Sequence, residues 1–429
     1  MTAFVLKNHP ETTTMNTTRH PLKLTFTALA LIAAFGSVQA QDVIKMGALV
    51  TLEGPFTVLG QDALRGVDMA LKEHNYMAGG KKIELVKGSS DASPDSAVAG
   101  TRKLVEQDKV NILIGPLSGD EGIAVKGYAK GQPGVTFING SSAAQGTTLQ
   151  DPAPNFFRFS TDGAQWQSGL GTYAFGKGYK KTVIVAEDYS FPYSQVQGFM
   201  VEYCKAGGKV VDKQWVPLGT KDYSSVIAKL PKDIDAIYVV LGGSDAVNFL
   251  TQYEQSGGNK PFIGGSITVD QTILSYKGKR REALVGTPSA GPIADNWDNA
   301  GWKKFVADYK ASSKDAFPSP SLFAHAYYVN TKAALDALDA VKGDLSNNQA
   351  AFRKTLSTMT LKTPTGDVKL DANRNAVANM YITEVAKNAD GSLYNKVMKI
   401  VPNVSQQLGM NDADFKKMGL GSRDNPQCK

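Results

Sequence analysis

The chain has 429 residues, of which 42% are hydrophobic and 20% charged. That length is long for one domain and comfortable for two, each with its own core, and the composition excludes collagenous, repetitive or bulk-disordered chains. The formal net charge is +7, but Lys and Arg are dispersed among acids instead of massed in aromatic-interleaved runs, which argues against nucleic acid as a partner.

From the N-terminus, Arg19 and Lys23 precede an apolar run from Leu24 to Phe35, then Val38-Gln39-Ala40 and polar Gln41-Asp42. A basic region, an apolar core of about a dozen residues and small residues two apart make a secretory leader, with cleavage expected after Ala40. The apolar core is well short of the roughly 20 residues that cross a bilayer, which disfavours an anchor. Met15 lies just upstream of the charged residues and offers an alternative start. Removing residues 1 to 40 takes away Lys7, Arg19 and Lys23 against Glu11, so the formal net charge falls by two, from +7 to +5. No later segment reads as a membrane span.

The mature chain alternates short apolar strands with helical segments, the pattern of sheets flanked by helices on both faces. Val43 to Val50 reads as a strand that ends in Thr51-Leu52-Glu53-Gly54-Pro55, and Leu64, Val67 and Leu71 follow at helical spacing. Ile83 to Val86 is a second strand. Ser93-Pro94-Asp95 supplies a cap residue, a proline at the first helical position and an early acid, announcing a helix to about Gln107. Further on, Thr182 to Ala186, Met380 to Ala386 and Tyr394 to Ile400 read as strands, and the last residues as a polar, partly helical tail.

Two stretches share a layout. Val110 to Ile114 runs into Gly115-Pro116-Leu117-Ser118-Gly119-Asp120, a helix, Val135 to Ile138 and Asn139-Gly140-Ser141-Ser142-Ala143. Ala236 to Leu241 runs into Gly242-Gly243-Ser244-Asp245, a helix, Pro261 to Gly264 and Gly265-Ser266-Ile267. Each is a β-α-β unit with small residues at the strand's carboxyl end, where ligands of open α/β sheets bind. The N–H groups that open the following helix carry partial positive charge suited to a carboxylate. Strand-to-helix turns also favour Gly, Ser and Asp for turn and cap chemistry alone. The aromatics of Glu187-Asp188-Tyr189-Ser190-Phe191-Pro192-Tyr193 either wall an apolar part of a ligand or pack their own lobe.

Of the four histidines, His9 and His20 fall in the leader, and His74 and His325 sit in helical patterns that read as structural. No Cys/His cluster has zinc spacing, so no metal or cofactor is expected. The sequence lacks the Gly-x-Ser-x-Gly elbow, the Gly-Lys-Ser/Thr phosphate loop and a dinucleotide fingerprint after the first strand. Cys204 and Cys428 either form one disulfide that pins the tail to the second lobe, as an oxidising compartment permits, or stay unpaired.

In order and spacing, Ile44-Lys45-Met46-Gly47, Glu53-Gly54-Pro55 with Gly60, Leu113-Ile114-Gly115-Pro116-Leu117-Ser118, Asn139-Gly140-Ser141-Ser142, Asp188-Tyr189-Ser190-Phe191 and Gly242-Gly243-Ser244 resemble the periplasmic leucine/isoleucine/valine-binding family of ABC-transporter receptors. The similarity runs from about Val43 to Ile400. It implies a type I periplasmic-binding-protein fold, two doubly wound α/β lobes joined by three crossovers near Ser160 to Gly163, Pro288 to Pro292 and Pro364 to Asp367. One lobe is then 42–161 with 290–364, the other 162–289 with 365–400, and 401–429 is a tail. It further implies a periplasmic monomer that hands a small carboxylate to a membrane permease. Ser118, Gly119, Ser141, Ser142 and Ala143 match the positions that grip the carboxylate. Leu59 falls where an apolar side chain borders the ligand, Phe191 matches an aromatic cover, and Ser244 and Ser266 fall at the remaining contacts.

One departure bears on the ligand. Amino-acid receptors of the family place an acid near Ser266 to hold the ammonium, and a buried cation without one is costly; Asp120 or Asp245 would have to substitute, each standing where a helix-capping residue is also expected. The sequence therefore points toward an aromatic or branched aliphatic acid ahead of a branched-chain amino acid. Two other readings share these residues: a secreted carboxylate enzyme such as a glycoside hydrolase, and a sensing domain for a signalling partner.

Overall fold

The computed structural model describes residues 12–13, 43–276 and 279–428, so the leader and its cleavage site lie outside the described residues. The first sheet is built from β1 (Val43–Thr51), β2 (Met77–Ala78), β3 (Lys81–Ser90), β4 (Ile112–Ile114), β5 (Thr136–Ile138) and β6 (Phe156–Phe157), in the spatial order β2-β3-β1-β4-β5-β6. Apart from the short antiparallel β2, its pairings are parallel, with Met46 of β1 across from Leu85 of β3 and from Ile112 of β4. A parallel sheet covered on both faces needs apolar residues on both, and β1 is accordingly buried along nearly its whole length.

The helix Thr57–Glu73 buries Val67 and Leu71 and half-buries Leu64. It meets the helix Leu322–Ala340 at Gly66, where any Cβ would come within 2.0 Å of the Ala324 carbonyl oxygen. Only glycine lets the two helices approach so closely. Ser93 caps the helix Pro94–Arg102 through its Oγ, which accepts from Ser96 N at 3.3 Å, and Lys103–Gln107 extends that helix with a π turn.

The second sheet uses β7 (Lys181–Glu187), β8 (Lys209–Val216), β9 (Ala236–Val240), β10 (Phe262–Gly264), β11 (Pro288–Gly291), β12 (Leu361–Thr363), β13 (Gly366–Leu370), β14 (Ala376–Lys387) and β15 (Leu393–Val404). From β8 through β7, β9 and β10 to β11 it is parallel; β14 joins β11 antiparallel and pairs with β13 and β15. The chain passes between the two bodies three times: after β6, after β11, and again before β12, because Leu322–Ala340 packs back on the first. The carboxyl ends of the parallel strands of both sheets carry the Gly- and Ser-rich turns. Among the described residues no helix is long and apolar enough to cross a membrane.

The first passage is held by a fully buried ion pair. Arg158 donates from Nε to Asn375 Oδ1 at 2.6 Å and from its terminal nitrogens to the Ala144 carbonyl at 2.7 Å and the Thr148 hydroxyl at 2.8 Å. Asp162 lies 3.7 Å away and caps the next helix by accepting from Ala164 N and Gln165 N. Burial pushes the guanidinium down to about 10, still charged at neutral pH, and pushes the Asp162 carboxyl up. A Cys204–Cys428 disulfide closes the chain's far end onto the second lobe, which decides between the two readings left open by the sequence.

Replacing Arg158 with Met would leave Asp162 buried without its cation, a change that costs about 3–5 kcal/mol in such settings. The urea midpoint of Arg158→Met should fall accordingly, with the slope unchanged.

Candidate functional site

The first-lobe half of the cleft is made by two turns stitched to each other. Ser118 begins the helix Gly119–Ala129, and the Glu121 carboxylate, three residues on, accepts from Ser118 N at 2.7 Å in a capping box. Burial pushes Glu121 up from the ordinary carboxylate range. The second turn leans on the first: Ser141 N and Ser142 N donate to the Pro116 carbonyl at 3.1 and 3.3 Å, and Ser141 Oγ donates to the Leu117 carbonyl at 3.2 Å. Ser118 Oγ donates to the Ala92 carbonyl at 3.1 Å. A hydroxyl proton is free to swing to a stronger acceptor, and the first N–H groups of an α-helix have no partner inside it. Two serines and the helix start at Gly119 thus offer a carboxylate donors without supplying a nucleophile or a base.

The second-lobe half is aromatic. Tyr189 and Phe191 follow β7, their ring centroids 6.2 Å apart, and Trp166 meets Phe191 edge-on at 5.4 Å. Phe56, from the turn after β1, reaches across to Tyr189 at 6.4 Å. At Gly119 the lobes nearly touch: a Cβ there would lie 2.8 Å from Phe191 N and 2.7 Å from Ser190 Oγ. Between the halves is a small cavity of about 20 Å³, room for a water molecule and far below the roughly 300–1,000 Å³ usual for small-ligand sites. Its polar rim is Ser118, Gly119 and Ser141; its walls are Leu59, Leu117, Ala143 and Ile267, with the rings of Phe56, Trp166, Tyr189, Phe191 and Phe323.

Of the residues singled out from sequence, Leu59, Ser118, Gly119, Ser141, Ala143 and Phe191 line this one cavity. The others face elsewhere. Asp120 turns to the helix Ser190–Lys205, where its Oδ1 accepts from Ser190 N at 3.1 Å across the cleft. Ser142 points back toward Gly122. Ser244 is exposed, beside Asp245, whose own carboxylate accepts from Gly219 N at 2.7 Å. Ser266 is held by Gln195, which bonds both its hydroxyl and its amide, and it lines a neighbouring space with Asp270 and Leu322. Tyr193 turns outward, its ring edge-on to Trp215 at 4.8 Å and its hydroxyl on Asp188.

Sequence reasoning did not mark Phe56, Leu117, Trp166, Ile267 or Phe323 as site residues. Leu117 and Ile267 stand inside the two turns that share a layout and Phe56 directly follows Thr51-Leu52-Glu53-Gly54-Pro55, so the signal was at most one position away. Trp166 ends the short helix Gly163–Trp166 and Phe323 stands in the first turn of the helix Leu322–Ala340, and only the folded chain brings them to the cleft.

No Asp or Glu lines the cavity. Glu187, at the end of β7, accepts from Gly242 N at 2.9 Å through one oxygen, and burial beside Asp245 pushes its carboxyl well up, which favours the neutral form. His325 is buried on the Thr365 hydroxyl at 3.1 Å, and burial pushes it down to about 3, so it is neutral and structural. Among the described residues no group of three His, Cys, Asp or Glu is placed to hold a metal.

The sequence matches the periplasmic binding protein family over residues 43–391. It is 27% identical over 397 residues to Leu/Ile/Val-binding protein homolog 6 of Brucella melitensis, across 87% of this chain and 95% of that one. The structure is similar to an ABC transporter substrate-binding protein from Sphaerobacter thermophilus, with 27% identity, a TM-score of 0.76, and coverage of 85% and 99% of the two chains. It is also similar to a solute-binding protein of an ABC transporter from Rhodopseudomonas palustris solved with 3,4-dihydroxybenzoic acid, with 25% identity, a TM-score of 0.78, and coverage of 85% and 99%.

One carboxyl at the junction of the lobes makes a pH prediction. Asp270 accepts from Thr272 N at 3.0 Å and, across the cleft, from Leu322 N at 2.8 Å. Burial, with Asp62 nearby, pushes it from 3.8 to about 7. Between those values the folded chain holds a proton that the unfolded chain has released. Its contribution to stability therefore falls as pH rises through that window, by at most about 1.4 kcal/mol per pH unit. Urea titrations at pH 5 and pH 8 should show a larger loss for the parent than for Asp270→Asn.

Proposed function

We propose, because this chain belongs to the periplasmic binding protein family, that it is the substrate-binding protein of an ABC-type uptake system whose ligand is an aromatic or branched aliphatic carboxylate without an α-amino group. One observation carries the ligand class: the cavity pairs a serine-rich helix start with five aromatic rings and no acid. A carboxylate fits the first. An apolar body fits the second, and an ammonium in this space would be a buried cation without a counter-charge. The 3,4-dihydroxybenzoic acid bound by the Rhodopseudomonas relative has that same division of charge and ring. The Leu/Ile/Val-binding homologues keep a branched-chain amino acid as the second reading.

The mechanism is closure without chemistry. A ligand that touches Ser118 and Ser141 on one lobe and Phe191 on the other binds the shut form better than the open one, and shifts the population toward it by that difference alone. The permease then reads the shut form. With the leader removed after export, the mature chain works in the periplasm.

Purified protein should melt at a higher temperature with benzoate, 3,4-dihydroxybenzoate or a branched aliphatic acid, since a ligand specific to the folded state stabilises it; each acid should be recovered unaltered. Leucine or isoleucine giving the larger shift would reverse the ligand assignment. For the best ligand, Ser141→Ala should weaken binding about 10-fold to 100-fold, the loss of one charge-assisted hydrogen bond of roughly 1.5–3 kcal/mol. Unchanged affinity in both Ser118→Ala and Ser141→Ala would remove the first-lobe turns from the site.

A further inference from the structure

Past β15 the chain folds back over the second lobe and ends on the Cys204–Cys428 disulfide, which joins residues 224 apart in sequence. Polar contacts hold it there along its length. Arg423 forms a two-point contact with the Asp188 carboxylate, with Nε to Oδ1 at 2.8 Å. Lys213 Nζ donates to the Pro426 carbonyl at 2.6 Å, and Gln197 Nε2 to the Gly419 carbonyl at 2.8 Å. These partners belong to the helix Ser190–Lys205 and to β7 and β8 with their ends, so one face of the second lobe carries the tail.

The same segment also touches the first lobe. Gly421 N donates to Gln145 Oε1 at 3.2 Å, and Leu420 lies over Gly146. At the root of the tail, Gln406 Nε2 donates to Thr148 Oγ1 at 3.1 Å and to Asp162 Oδ2 at 2.7 Å. Gln145 and Thr148 sit directly after the Ser141–Ala143 turn that lines the cavity. Asp188, under Arg423, directly precedes Tyr189 and Phe191. The tail therefore spans the two segments that meet across the ligand space.

We propose that residues 405–428 form a strap that favours the shut arrangement of the lobes, with the disulfide as its fixed end. The bond to Gln145 and the Leu420 contact at Gly146 require those residues to lie against the second lobe. They are therefore present in the shut form and lost when the lobes part, and each shifts the equilibrium toward closure. Tethering through Cys428 keeps the strap beside its first-lobe partners, so that remaking them costs little chain entropy. Nothing in this role depends on which ligand the cavity takes.

The test uses the mature full chain without ligand, in three forms: parent, the Cys204→Ser/Cys428→Ser double variant, and Gln145→Ala. Small-angle X-ray scattering reads the lobe separation, and hydrogen exchange reads residues 141–149 and 188–191. A strap predicts a larger radius of gyration and severalfold faster exchange at both segments in the double variant, and a smaller change of the same sign in Gln145→Ala, whose disulfide is intact. Fast exchange confined to 405–428, with the lobe separation and residues 141–149 as in the parent, would overturn the proposal. Should the double variant fail to fold, Gln145→Ala decides alone. Because no ligand is added, failure here leaves the ligand assignment untouched, and failure of the thermal-shift screen leaves the strap untouched.

Discussion

The Arg158 guanidinium is the constraint on which the cleft depends. A charge taken fully out of water is tolerated only when its donors are matched, and the acceptors that match it come from separate parts of the chain. Ala144 belongs to the second first-lobe turn, Thr148 to the helix after it, Asp162 to the first passage between lobes, and Asn375 to the lead-in of β14. None is close to all the others in sequence. Satisfying the one cation therefore gathers the end of the site turn, the passage and the lead-in of β14 where the chain crosses between the lobes, and Gln406 repeats the arrangement by bonding both Thr148 and Asp162.

The cleft built on that anchor suits recognition. Its serines already donate to backbone carbonyls, and its neighbouring carboxylates cap helices or accept from backbone N–H groups. The raised carboxyls Glu121, Glu187 and Asp245 all have burial as their largest cause, and perturbed groups of this kind also arise in structural networks far from any reaction. Across the cleft the halves meet at Gly119, where a Cβ would lie 2.8 Å from Phe191 N. Gly119 against Phe191 sets how closely they approach, and the aromatic rings supply area that is buried when they do.

Much of this was legible in the residues. The alternation of strands and helices, the cap at Ser93 and the small residues at strand ends follow from local rules, because a turn or a cap is decided within a few positions. Leu59, Ser118, Gly119, Ser141, Ala143 and Phe191 match the contact positions of the family the sequence resembles, and they share the cavity. Ser142, Ser244 and Asp120 sit in turns of the same composition yet face away. Side chains one position apart at a turn point in different directions, and composition does not say which of them looks inward.

By itself, then, the sequence determined the α/β class and the helix starts at the strand ends, since each rests on periodicity or on contacts a few residues long, while length and family likeness gave the two lobes. Only the tertiary structure decided that Trp166 and Phe323 complete the wall, that Cys204 meets Cys428, and that Arg158 ties the turn to the second sheet. Those are meetings of residues tens to hundreds of positions apart, and such pairings become visible only when the chain's passages between the lobes have brought their ends together.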